Sequence, residues 1–69
     1  MSSSAVQATA AELSAAAEAI SSYQRRVGGL AGPLLGGDRD DLVAAIYEAE
    51  RALRTAERLV LRAVKLARS

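Results

Sequence analysis

Between Leu42 and Ala67 the apolar positions recur with a helical period. Leu42, Ile46, Ala49, Leu53, Ala56, Val60, Ala63 and Ala67 are separated by alternating steps of four and three residues. Such a row lies along one side of a helix and forms a seam that needs a covering surface. A weaker version opens the chain: Val6, Leu13, Ile20 and Val27 fall on every seventh position, with Thr9, Ala16, Tyr23 and Leu30 three residues further on. Ala10, Ala15, Ala17 and Ala19 lie beside that row and leave room for a second backbone to come close. The two patterns predict helices over about 5–27 and about 39–67.

The segment between them, residues 28–37, holds all five glycines and the single proline, Pro33. Gly28 or Gly29 is the expected helix stop, in the left-handed conformation that glycine adopts without penalty. Pro33 then opposes continuation. Leu30, Leu34 and Leu35 make this loop apolar, and they are expected to fold back over the end of the helix pair. Ser2, Ser3 and Ser4 form a loose start, with Ser4 and Gln7 as a capping box. Asp38 is the expected cap of the second helix, with Asp40 and Asp41 in its first turn, where carboxylates meet unpaired backbone amides.

Two amphipathic helices joined by a short glycine-bounded link predict an all-α fold, an antiparallel two-helix hairpin forming one domain over residues 1–69. Val6, Leu13, Ile20 and Val27 would face Leu42, Ile46 and Leu53 across the hairpin seam. The second helix carries more apolar surface than the first can cover. A parallel row runs through Ala45, Ala52, Leu59 and Leu66, and Val43, Leu61 and Val64 lie outside the main seam. The surplus gathers at the C-terminal end, where the longer second helix is expected to project. Burying one such leucine or valine is worth roughly 1.5 to 3 kcal/mol, so leaving several in water is a solubility liability. Leu59, Val60, Leu61, Val64 and Leu66 are therefore the expected partner interface. The hairpin is expected to associate into a four-helix bundle or larger helical assembly, as a homo-oligomer or as a heterodimer with a small helical protein.

Composition sharpens this reading. At 69 residues a lone core is marginal, and with no cysteine or histidine neither disulfides nor the usual zinc ligands can staple it. No catalytic, cofactor, metal or small-molecule site is expected: the carboxylates have no thiol or imidazole companion. The glycine-rich loop lacks the Gly-Lys-Ser/Thr ending of a phosphate loop. The aspartates at 38, 40 and 41 lack the central glycine and distal glutamate of a calcium loop. Glu50 with Arg54, Glu48 with Arg51 and Arg54 with Glu57 have ion-pair spacing and are expected to mark the solvent side.

A net charge of +1 argues against a dedicated nucleic-acid binder. Arg58, Arg62, Lys65 and Arg68, following the last acid, complement the dipole of a helix C-terminus. They are also the possible contact for an acidic partner, a lipid surface or nucleic acid. The resulting expectation is a non-enzymatic helical protein–protein interaction module. The alternative is a small DNA-associated regulator or antitoxin using the basic strip. No Lys or Arg precedes the first apolar stretch, which favours the cytoplasm, or export without a cleavable signal peptide.

Two Ala-rich helices flanking a glycine-bearing turn resemble the Trp-X-Gly helical hairpins exported by type VII secretion systems. The resemblance implies an elongated antiparallel hairpin that pairs into a four-helix assembly, in a bacterial secretion or effector setting. The Ala- and Arg-rich usage, with Lys65 the single lysine, looks like that of a high-GC bacterium. There is no Trp at the turn, and Tyr23 and Tyr47 are followed four residues later by Val27 and Arg51 rather than an acid, so no functional residue is carried over.

Overall fold

The structure, a computed structural model, describes residues 3–69. Met1 and Ser2, part of the serine-rich start, lie outside the described residues. The chain forms α1 (Ser4–Gly28), a 3-10 turn (Gly32–Leu34) and α2 (Asp40–Arg68). The two long helices pack antiparallel along their lengths. The Cα radius of gyration is 16.2 Å, against about 11 Å for a compact chain of this length, and the extents are 58 × 13 × 12 Å. The molecule is thus a rod one helix pair thick, and each helix has one covered side.

The helix ends follow from local hydrogen bonding. Ser3 caps α1, its Oγ accepting the Val6 backbone N–H at 3.0 Å, one residue before the serine expected to do so. Glycine does not end α1 in the left-handed form. Gly29 stays right-handed at φ −67°, and the chain tightens through Leu30 N–H to the Val27 carbonyl at 3.1 Å and Ala31 N–H to the Gly28 carbonyl at 3.4 Å. Pro33 enters a 3-10 turn closed by Leu35 N–H donating to the Gly32 carbonyl at 3.2 Å. The reversal falls at Gly36, φ 83°, where a side chain would be strained. Arg39, not Asp38, is the capping residue of α2 and makes no side-chain cap bond, while Asp40 and Asp41 occupy the first turn. Of the loop's apolar residues, Ala31 is buried and Leu34 half-buried, whereas Leu30 and Leu35 remain exposed and do not cover the helix ends.

The seam uses the predicted periods but a different rotation of each helix. On α1, Leu13, Ile20 and Val27 are half-buried, and the row inside them is Ala10, Ala17, Gln24 and Ala31; Thr9, Ala16, Tyr23 and Leu30 are exposed. Ser14, Ser21 and Gly28 form the other edge. The small row goes inward because it lets α2 approach closely, which Tyr23 and Leu30 would prevent. On α2, Ile46, Leu53, Val60 and Ala67 are half-buried as part of the seam. Their companions are Val43, Glu50, Glu57 and Val64, rather than Leu42 and Ala49, which are exposed, or Ala56 and Ala63, which lie half-buried at its edge. Val6 and Leu42, placed in the seam by periodicity, are 41% and 37% exposed. The C-terminal turns of α2 do not project: Ala67, Arg68 and Ser69 share a recess with Gln7 and Ala10.

The buried side chains among the described residues are Ala10, Ala17, Ala31 and Val64. Small α1 residues therefore set the helix separation, and a larger side chain there must push α2 away. Ala17→Leu is expected to lower stability by about 2 kcal/mol through overpacking. Ala11→Leu, on the exposed side, should stay within about 0.5 kcal/mol. Thermal unfolding followed by circular dichroism measures both.

Candidate interaction surface

A polar contact crosses the hairpin near its closed end. Glu50 lies on the covered side of α2, its side chain 20% exposed, where Gln24 Nε2 donates to its Oε2 at 3.0 Å. Arg54 Nη2 reaches the same oxygen at 3.3 Å from the next turn. Gly28 makes room for this carboxylate: a Cβ there would lie within 2.8 Å of Glu50 Cδ. Of the Glu50–Arg54 pair, Glu50 thus lies in the seam, while Arg54, exposed, reaches it from the solvent side. Glu48 with Arg51 and Arg54 with Glu57 do not form ion pairs; besides Glu50–Arg54, the pair among the described residues is Arg39–Asp41 at 3.1 Å.

Seating Glu50 inward fixes the rotation of α2, and with it what the hairpin shows on its two broad faces. On one face Leu66 and Ala67 share a recess with Ala5, Val6 and Thr9. On the other, Glu57 and Leu61 line a recess with Ser14, Glu18, Ser21 and Arg25. The second face is polar. The first carries an unbroken apolar row along α2, through Leu42, Ala45, Ala49, Ala52, Ala56, Leu59, Ala63 and Leu66, again in steps of three and four. Beside it on α1 run Thr9, Ala16, Tyr23 and Leu30. Leu59, Leu66, Tyr23 and Leu30 are each more than half exposed, at 54%, 67%, 55% and 59%. Arg26 sits 5.7 Å from the Tyr23 ring centroid and holds the ring along the helix.

The five residues expected to form the partner interface therefore do not share a surface. Leu59 and Leu66 lie on the apolar face. Leu61, 46% exposed, lies on the polar one. Val60 is half-buried in the seam and Val64 is 6% exposed, so α1 already covers them. Their inward position follows from the same rotation that brings in Glu50: Val64 lies fourteen residues beyond it on the same line, and Val60 ten residues beyond on the adjoining seam line. Arg58, Arg62, Lys65 and Arg68 are all exposed; the first three edge a shallow groove on α2 with Glu57 and Leu61, and Arg68 lies at the far end of the rod. Among the described residues no three His, Cys, Asp or Glu side chains are gathered where they could hold a metal ion, and no helix is long and apolar enough to cross a membrane.

Sequence reasoning missed Gln24, Gly28 and Glu50. The available signal was Gln24 itself, which interrupts the alanine row of α1 at a position level with the one glutamate that can reach it.

Asp41 is the group whose acidity the fold changes. The Arg39 guanidinium, donating at 3.1 and 3.4 Å, and then the Leu42 backbone amide hold its carboxyl below the usual carboxylate range. A lowered native pKa stabilises the fold above the ordinary carboxylate value, and that contribution is lost as pH falls through the lowered one. Arg39→Ala should return the Asp41 titration, followed by NMR, upward toward its ordinary range. Gln24→Ala and Glu50→Ala together should cost less than the sum of the single variants, with a coupling of about 1 kcal/mol in a double-mutant cycle. Additive losses would mean that the two side chains act independently. Set against protein-family profiles, curated proteins and solved structures, the chain matches none, and its likeness to the Trp-X-Gly hairpins rests on layout alone.

Proposed function

We propose that this protein is a non-enzymatic helical interaction module whose apolar face seats another helical hairpin, either a second copy or a similar small protein. The observation that carries the reading is the eight-residue row from Leu42 to Leu66, free of charged and polar side chains and lying on one broad face, with Leu42, Ala45, Ala49, Ala52, Leu59 and Leu66 exposed. A row of this kind is the seam of a coiled coil awaiting its other half. Exposed single leucines are ordinary on protein surfaces; a continuous stripe backed by Tyr23 and Leu30 marks an interaction site.

The opposite face supports the same reading by contrast, since Ser14, Glu18, Ser21, Arg25 and Arg54 suit it to water. A DNA-associated role has less behind it. Arg58, Arg62 and Lys65 lie along one side of α2 with Glu57 among them, and the net charge is +1.

Light scattering or native mass spectrometry of the purified chain tests the proposal. An associated species, or a lone hairpin that binds a hydrophobic dye through this face, is expected. Leu59→Glu with Leu66→Glu should weaken association by roughly 100-fold or more, while Leu61→Glu on the polar face should leave the mass unchanged. A cooperatively folding monomer that binds no dye overturns the reading.

A further inference from the structure

Resting on that reading, we infer that the occupant of the apolar face is a second copy of this chain, with the two α2 helices antiparallel and a two-fold axis passing at the level of Arg54 and Tyr23. The α2 row is symmetric about Arg54. Leu42 and Leu66 lie twelve residues either side of it, Ala45 and Ala63 nine, Ala49 and Leu59 five, Ala52 and Ala56 two. An antiparallel second copy thus meets every position of the row with another position of the same row, which is what an isologous interface requires.

On α1, Tyr23 falls at the same height as Arg54. Ala16 lies seven residues before it and Leu30, just past the helix end, seven after, so small meets large across the same axis. Ala10 and Ala67 share a recess in the hairpin, and thirteen residues on from each along the antiparallel helices are Tyr23 and Arg54.

Charge at the rim selects the antiparallel direction. Glu48 and Arg62, on the solvent edge of the row, lie six residues before and eight after Arg54. Antiparallel copies bring Glu48 near Arg62 of the second copy, and the contact occurs twice; parallel copies give neither residue that partner, because this edge of one copy then lies across from the seam side of the other. The size is also sufficient. From Leu42 to Leu66 is about 36 Å of helix, and across two helices some 20 Å wide the footprint approaches the roughly 800 Å² per partner of a standard interface.

The chain has no cysteine, so each one introduced is a unique reporter. Ala45→Cys mixed with Ala63→Cys should form a disulfide-linked pair under mild oxidation, and neither variant should cross-link with itself, because the like positions would stand about 27 Å apart. Tyr23→Cys, at the axis, should cross-link with itself. Glu48→Arg should weaken the dimer roughly tenfold by native mass spectrometry, and adding Arg62→Glu should restore it. Circular dichroism checks that each variant keeps its helices. A dimer that cross-links Ala45→Cys to itself, or that links neither combination, overturns this arrangement while leaving association intact. A helical monomer at all accessible concentrations overturns the self-pairing; dye binding by that monomer then separates a vacant heteromeric face from failure of the interaction reading as a whole.

Discussion

The Glu50 carboxylate, held by Gln24 from the opposite helix and Arg54 from its own, is the contact on which the form of this hairpin turns. A two-helix rod has almost no interior. With four buried side chains among the described residues, three of them alanine, apolar burial alone discriminates weakly between neighbouring rotations of α2. The half-buried carboxylate adds to that discrimination, because turning it away from Gln24 gives up a charge-assisted hydrogen bond in the seam. Gly28 permits the arrangement by having no side chain where Glu50 enters.

From that rotation the surface follows. The line Ile46, Leu53, Val60 and Ala67 enters the seam under either choice of companion row. With Val43, Glu50, Glu57 and Val64 as the companions, the Ala and Leu row from Leu42 to Leu66 turns to one broad face. The small residues of α1 then let the helices close without needing that row to fill space. The polar clamp inside and the apolar stripe outside are two results of one angular choice.

The arrangement also explains why so short a chain keeps bulky side chains in water. Leu59 and Leu66 are more than half exposed, and Tyr23, equally exposed, has Arg26 over its ring. These side chains, arranged with coiled-coil spacing, are the ones that the proposed second helical layer would cover.

The sequence by itself determined the two helices, their antiparallel connection and the excess of apolar surface on the second. All three are local consequences of period, glycine placement and count. It also placed Leu13, Ile20, Val27, Ile46 and Leu53 on the covered sides, since those lines belong to the seam at either rotation. Which flank accompanies each line was decided only in the folded pair. Hydrophobicity ranked Ala49 and Ala56 above Glu50 and Glu57 and put Leu61 and Val64 beside Leu59 and Leu66 in one interface. The folded hairpin instead satisfies a carboxylate across the seam, buries Val64 and sends Leu61 and Leu66 to opposite faces. The reason is that a repeat written along one chain fixes which residues share a stripe, whereas the direction in which that stripe points depends on donors, acceptors and free space contributed by the other helix.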